Sequence, residues 1–235
     1  NDSRNFGPRS GRFIVIPLHS TLSSEDQSMI FKKFNGKRKI ILSTNIAETS
    51  VTIDDVVLVI DCGQHKEKHF DNNRNMESLE TVWISKANVG QRKGRAGRVM
   101  PGISFHLFTQ HRYENHLLAQ PIPEIHRIPL EQLLLRIKML NNFKGHKIQE
   151  VLSGCIEPPS LESIDGAKRR LQNLGAFENG EHLTPLGSHL ALLPVDVRIG
   201  KLMLFGAIFQ CLDSVLTICA SLSHKSPFVS PFTKR

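Results

Sequence analysis

A short segment at residues 91–98, Gln-Arg-Lys-Gly-Arg-Ala-Gly-Arg, carries the residue types that phosphoryl transfer requires. In a helix, Gln91, Arg95 and Arg98 would share one face, because they lie at i, i+4 and i+7. One guanidinium would neutralise charge developing on a γ-phosphate, a second would hold the phosphate tail, and the amide would place the attacking water. The spacing therefore predicts a catalytic set for nucleotide hydrolysis.

The two glycines of this segment, Gly94 and Gly97, bear on whether it is functional. Each costs about 1 kcal/mol inside a helix, and each lets another surface approach closely. On the predicted helix, Arg92 and Lys93 would face elsewhere. The alternative interpretation is a basic, solvated helix face, which gives no reason for two glycines in a helix. We therefore favour the functional interpretation.

A second segment, residues 43–54, is rich in hydroxyl side chains and follows an apolar run typical of a strand. At the end of a parallel strand, hydroxyls and backbone N–H groups can grip phosphate. Helix capping is the alternative for an isolated cluster of Ser and Thr. Upstream, Lys37, Arg38 and Lys39 form a basic run, which would either supply charge to phosphates without reading sequence or be a solvated face.

These segments resemble motifs of superfamily 2 helicases, in the form found in the DEAH/RHA family. Residues 91–98 are similar to motif VI, residues 43–54 to motif V, and Pro17–Ser20 to motif IVa. The family's hairpin between motifs V and VI matches residues 64–84. The resemblance covers essentially residues 12–235. Three shorter matches lie in its winged-helix and ratchet regions: Pro123–Arg127, Leu183–Gly187 and Ser226–Phe228.

The resemblance implies an ATP-dependent RNA helicase that moves 3′ to 5′ along single-stranded RNA. ATP with Mg²⁺ would bind between this lobe and a first RecA-like lobe. That first lobe would carry the phosphate-binding loop and the DEAH carboxylates that hold the metal, since neither motif occurs in this sequence. No metal site is expected in this chain. The alternative is a catalytically inactive, helicase-like scaffold that binds RNA, because the residues that decide between the two belong to the first lobe.

The resemblance also assigns roles to three groups of residues. The expected catalytic residues are Arg95, Arg98 and Gln91. The expected nucleotide-binding residues are Thr52, Asp54 and Phe31. Phe31 would stack on the adenine, with a place in the apolar core as its alternative. The expected RNA-binding residues are Ser20, Arg38, Lys39, Ser43, Thr44 and Asn45.

The strands that must position these residues are indicated by apolar, β-branched runs. Such runs predict buried parallel strands at 12–17, 39–43, 56–61 and 103–108. In residues 64–84, the pattern of apolar and polar residues differs from that of these continuous runs, and a turn-rich stretch at 71–75 interrupts it. This pattern predicts an antiparallel hairpin. The sequence therefore predicts an α/β sheet with one protruding hairpin.

Helices are indicated by capping signals and helical spacing. Ser24 and Gln27 suggest a capping box that begins a helix running through Phe34. Two further helices are expected in the first half of the chain, at 86–98 and 112–119. After Pro121 and Pro123, the pattern becomes mainly helical, with a small hairpin at 178–183.

The predicted fold class is α/β, a RecA-like parallel-sheet lobe followed by a mainly helical winged helix and a partial helical bundle. The RecA-like lobe would occupy residues 1–120, with its opening strand missing. The winged helix would occupy residues 121–194, and the start of the ratchet domain residues 195–235.

The composition of the chain limits the classes of binding partner and of compartment. Thirty Lys and Arg against 22 Asp and Glu give a formal charge of +8, which attracts polyanions such as nucleic acid or an anionic membrane and does not choose between them. The four cysteines lack the spacing of a zinc site or a disulfide framework, and this favours a reducing compartment. An apolar stretch at 202–222 is interrupted by Gln210 and Asp213, which predicts two buried helices, the second capped by Asp213, and no membrane association. The expected location is cytoplasmic, with the nucleus left open.

Overall fold

A computed structural model describes residues 11–49, 51–71 and 76–223. Four sequence-based predictions fall wholly or partly outside these ranges. They are the N-terminal loop, Ser50 within the hydroxyl-rich segment, the turn of the hairpin and the family match at Ser226–Phe228.

The described residues divide into two compact units. The first lies within Asn1–Lys68 and Leu79–Ile122, and the second within His69–Ser78 and Pro123–Arg235. Each unit has its own apolar core. The division into three domains, with boundaries at 120 and 194, stays a prediction.

The strands are β1 (Phe13–Leu18), β2 (Arg38–Ser43), β3 (Leu58–Asp61), β4 (Gln64–Asp71), β5 (Met76–Trp83) and β6 (Ile103–His106). In the described part of the chain they form three two-stranded sheets: β1 pairs with β2 and β3 with β6, both in parallel, and β4 pairs with β5. The parallel pairs confirm the α/β class of this region. The connection between β4 and β5 is too short for a parallel crossover, so these two strands form a hairpin.

Four α-helices lie among the residues of the first unit that the structure describes. They are α1 (Ser24–Ser28), α2 (Ile46–Thr49), α3 (Lys86–Lys93) and α4 (Gln110–Asn115). One core cluster, centred on Ile16, Leu18, Ile30 and Ile53, lies between β1 and the residues after α1 and α2. A second, smaller cluster joins Ile84, Val89 and Leu117. These clusters hold the segments on which the predicted site residues lie.

The prediction for α1 was wrong in its cap and in its length. Ser23, not Ser24, is the N-cap, because its backbone is extended and its hydroxyl accepts from the Asp26 N–H at 3.1 Å. Gln27 instead donates its amide to the Leu22 carbonyl at 3.0 Å. The helix continues only as a 3₁₀ turn to Phe31 and ends before an extended Lys32.

Six α-helices lie in the described part of the second unit. They are α5 (Glu131–Met139), α6 (Ile148–Ser153), α7 (Leu161–Asn173), α8 (Pro185–Leu192), α9 (Val197–Ile208) and α10 (Leu212–Ser223). Its fully buried side chains include Leu134, Leu135, Ile148, Leu171 and Leu190. The small hairpin predicted at 178–183 is reduced to one antiparallel bridge between Phe177 and Leu183.

The apolar stretch at 202–222 forms two helices, α9 and α10, as expected, but the prediction that both are buried was wrong. Within the described residues, Cys219 is the one buried residue of α10, and Ile208, Ile218 and Leu222 are more than half exposed. Gln210, at a φ of 56°, lies in the turn between them. Asp213 lies inside the first turn of α10, so its predicted role as the capping residue was wrong. Within residues 11–49, 51–71 and 76–223, no helix has both the length and the apolar character to cross a membrane.

Glu181 links three helices of the second unit. Its carboxylate lies 2.7 Å from the Lys168 ammonium on α7 and 3.3 Å from the Lys138 ammonium on α5. It also accepts from the Ile148 N–H at the start of α6, at 2.8 Å. Burial alone would raise the pKa of Glu181, but the hydrogen bonds from Lys168, Ile148 and Lys138 hold that pKa below its usual value.

Candidate nucleotide and nucleic-acid site

Two loops meet at the carboxyl end of the β1–β2 pair. Leu18 lies opposite Ser43 in the parallel register, and the Thr44 N–H donates to the Leu18 carbonyl at 3.1 Å. Ser20 follows the end of β1, so it lies at the same sheet edge as Ser43, Thr44 and Asn45. All four of these side chains are exposed. Four of the six predicted RNA-binding residues are thus brought together at the edge where parallel sheets bind ligands.

The other two predicted RNA-binding residues are not part of this edge. Arg38 is exposed and begins β2, whereas Ser43 ends it, which separates them by roughly 16 Å along the strand. Lys39 has a side chain only 10% exposed, and its ammonium pairs with Asp55 at 2.7 Å. That ammonium also donates to the Ile30 carbonyl at 2.6 Å. Lys39 therefore anchors the 3₁₀ turn after α1, and its ammonium is already engaged within the protein.

The helix predicted at 86–98 ends earlier than expected. Ser85 caps α3 in a capping box with Asn88, and Gly94 is the C-cap. Arg95 and Arg98 therefore lie in turns beyond the helix, and the prediction that both share a helix face with Gln91 was wrong. The physical reason is the low helix propensity of the two glycines, which favours termination over continuation.

Arg95 reaches from this turn to the hydroxyl-rich segment. Its Nη1 donates to the Val51 carbonyl at 2.9 Å. Its Nε is buried and has no hydrogen-bond partner among the described residues. Burial lowers the pKa of Arg95, and the nearby charge of Arg98 lowers that pKa further. Gln91 and Arg98 are both exposed.

The predicted nucleotide-binding residues are all at the surface. Thr52 and Asp54 follow Val51, the residue whose carbonyl Arg95 contacts, and both side chains are exposed. Phe31 is 58% exposed at the end of the 3₁₀ turn. The alternative that Phe31 belongs to the core was therefore wrong, while stacking on adenine stays a prediction.

Sequence reasoning missed a buried ionic network between the two motifs. Glu48 on α2 is 6% exposed, and its carboxylate accepts from the side chains of Asn88 and Arg92 on α3. Arg92 Nε lies 3.0 Å from Glu48, and Arg92 Nη1 lies 2.7 Å from Asp61 at the end of β3. Arg92 was expected to face away from the site, but it faces inward. Burial alone would lower the pKa of Arg92, but the hydrogen bonds and charges of Asp61 and Glu48 raise that pKa above its usual value.

The turn after β3 fixes Asp61. Its Oδ1 accepts from the Gly63 N–H at 2.9 Å, and Gly63 has a φ of +75°. A Cβ at Gly63 would lie 2.5 Å from Phe108 and 3.0 Å from Trp83, so this position requires glycine. An acidic residue at the end of an apolar strand run, followed two positions later by glycine, is the sequence signal that could have predicted this turn.

No three side chains of His, Cys, Asp or Glu lie close enough together to hold a metal ion in the described part of the chain.

The chain matches family models along much of its length. Residues 4–100 match the helicase conserved C-terminal domain. Residues 169–195 match the winged-helix part of the helicase associated domain, and residues 196–235 match its ratchet-like part.

Known proteins are similar over nearly the whole chain. Human DHX57, by name a candidate ATP-dependent RNA helicase, is 61% identical over 97% of this chain. Human DHX36, named an ATP-dependent DNA/RNA helicase, is 52% identical over 96% of it. The crystal structure of the E. coli DExH-box NTPase HrpB is 34% identical and covers 93% of this chain with a TM-score of 0.79.

These matches, with the parallel-strand fold and the two motifs, show that the chain belongs to the DEAH/RHA family of helicases. It comprises a C-terminal helicase domain and part of the helicase associated domain. The chain spans 16% of the length of DHX57, 22% of DHX36 and 26% of the HrpB chain.

Proposed function

We propose that this chain is the second motor lobe of an ATP-dependent RNA helicase that moves 3′ to 5′ along single-stranded RNA. The observation that carries the proposal is the contact between Arg95 and Val51. It joins the arginine segment to the backbone one residue before Thr52 and three before Asp54, and this supports the proposal that Arg95, Thr52 and Asp54 face the nucleotide together.

The electrostatics around Arg95 suit a nucleotide phosphate. Arg95 has a buried, unpartnered Nε within the described structure, and Arg98 contributes a like charge nearby. A polyanion beside two repelling guanidiniums relieves that repulsion and gains charge-assisted hydrogen bonds. In this proposal, Arg95 and Arg98 contact the terminal phosphates, Gln91 orients the attacking water and Thr52 and Asp54 face the ribose. Phe31 stacks on the base.

The RNA would lie across the carboxyl edge of β1 and β2. Ser20, Ser43, Thr44 and Asn45 present exposed hydroxyl and amide groups there, which suit phosphate contacts without base readout. Arg38 would contribute charge from the other end of β2. Because Lys39 is already ion-paired, we propose that its role is to hold this region in shape.

ATP would bind as its Mg²⁺ complex between this lobe and a first RecA-like lobe, which would supply the metal ligands. We also propose a reducing compartment, the cytoplasm or the nucleus. This fits four cysteines that form no disulfide, of which Cys62, Cys155 and Cys211 are exposed.

The test uses the full-length protein. We expect ATP hydrolysis that depends on Mg²⁺ and is stimulated by single-stranded RNA. We also expect unwinding of an RNA duplex with a 3′ overhang but not of one with a 5′ overhang. Matched DNA duplexes report whether the substrate class extends to DNA. RNA binding with no hydrolysis would instead support the inactive scaffold, and unwinding from the 5′ overhang would contradict the proposed direction.

A further inference from the structure

The buried ionic network lies between the proposed RNA edge and the proposed nucleotide surface. Glu48 lies on α2, three residues after Asn45. Its backbone N–H donates to the Asn45 carbonyl at 3.0 Å, so α2 is bonded directly to the RNA-facing loop. Arg92 follows Gln91 in α3 and precedes Arg95 by three residues.

Two residues of α3 point into the network together. Asn88 and Arg92 are four residues apart and share a helix face, and both side chains donate to the Glu48 carboxylate. Arg92 also donates to Asp61 and, at 3.3 Å, to the Gln64 carbonyl. One guanidinium thus spans α2, the end of β3 and the start of β4.

The burial of these charges indicates a role beyond stability. The side chains of Glu48, Asp61 and Arg92 are 6%, 1% and 14% exposed. A buried ion pair gives little net stability, because desolvation offsets most of the Coulombic gain. What a forked guanidinium between two fixed carboxylates does provide is a defined orientation, which a lysine ammonium does not reproduce.

We infer that Glu48 and Arg92 are positioning residues that couple RNA binding to ATP hydrolysis. RNA at Ser43–Asn45 sets the position of α2, and the Glu48–Arg92 pair transmits that position to α3. The orientation of α3 then places Gln91 and the turn that carries Arg95. Neither Glu48 nor Arg92 contacts RNA or nucleotide in this arrangement. The inference rests on the proposed function.

The test compares basal and RNA-stimulated hydrolysis in the full-length enzyme. For Arg92→Lys and for Glu48→Gln, we expect the ratio of stimulated to basal kcat to fall at least about 10-fold. RNA affinity at fixed salt should stay within about 2-fold of wild type, and the KM for ATP should change little. In the double variant, the ratio of stimulated to basal kcat should fall no further than in Arg92→Lys alone, since both changes break the same connection.

Arg112→Lys is the matched control. Its guanidinium stacks on Trp83 at 4.2 Å in the same unit and, among the described residues, has no hydrogen bond or ion pair with Glu48, Asp61 or Arg92. This variant should keep the wild-type ratio even where it lowers thermal stability. Circular dichroism verifies folding, and if Arg92→Lys does not fold, Glu48→Gln alone decides.

The outcomes distinguish a failure of the proposed function from a failure of the proposed coupling. A wild-type enzyme that RNA does not stimulate overturns the proposed function and the coupling with it. A stimulated wild type with both variants at the wild-type ratio overturns the coupling alone. A large loss of RNA affinity at unchanged stimulated kcat also overturns it, because the pair would then act in binding.

Discussion

Arg95 is the single residue on which the proposed chemistry depends most. It lies outside the helix, and its position is set by one hydrogen bond to Val51. In the full-length enzyme, we expect Arg95→Lys to lower kcat for hydrolysis by about 10³-fold to 10⁵-fold, because lysine keeps the charge but loses the planar fork. RNA affinity, measured by fluorescence anisotropy at fixed salt, should be nearly unchanged.

Thr44→Ala is the complementary control for Arg95→Lys. Thr44 lies at the RNA edge, and its hydroxyl is exposed. Its removal should weaken RNA affinity and leave basal hydrolysis intact. Near-normal turnover in Arg95→Lys would show that the segment 91–98 is structural or faces RNA.

The turn between β3 and β4 shows how an element depends on one glycine. Gly63 has a φ of +75° and no room for a Cβ against Phe108, whereas Gly36 has a φ of +74° and nothing within 4 Å. Gly36→Ala should therefore cost only the left-handed strain, about 1–2 kcal/mol. Gly63→Ala should cost that strain plus about 1–3 kcal/mol of overpacking.

Urea unfolding of this chain measures the free energy of unfolding of both variants. Trp83 is the only tryptophan and contacts Phe108 edge to face, so its fluorescence reports on this turn. If both variants lose the same free energy of unfolding, the packing of Gly63 against Phe108 contributes nothing to stability.

At the scale of the whole molecule, the two units have separate cores. In the second unit, Glu181 joins α5, α6 and α7. Replacing it removes one charged partner from the ammonium groups of Lys138 and Lys168, which are 13% and 17% exposed and keep the His146 carbonyl and the Asp165 carboxylate as partners. We expect Glu181→Gln to cost about 1–3 kcal/mol at pH 7.

The effect of Glu181→Gln should depend on pH with a defined sign. The pKa of Glu181 is lowered in the folded state, so its stabilisation is complete above the unfolded pKa of about 4.3. It is lost as the pH falls through the folded pKa. Urea unfolding followed by circular dichroism should therefore show the stabilities of wild type and variant converging as the pH falls through the folded pKa of Glu181. Glu157→Gln, at an exposed position, is the control and should have little effect at any pH.

The sequence alone determined the fold class, the parallel strands, the hairpin and the family. These follow from local information: β-branched runs between polar residues, and two motifs whose residues are close together in the chain. It also placed Ser20 and Ser43–Asn45 after strands, and the parallel pairing of β1 with β2 brings them to one edge of the sheet.

Only the tertiary structure decided which charges are available for function. Arg92 pairs with Glu48 and Asp61, which are 44 and 31 residues away, and Lys39 pairs with Asp55 in the next segment. Helical spacing alone assigned Arg92 to the wrong face and extended α3 past Gly94. The physical reason is that a buried charged side chain is oriented by the opposite charge with which it pairs. Partners this distant in sequence leave no periodic signal along the chain.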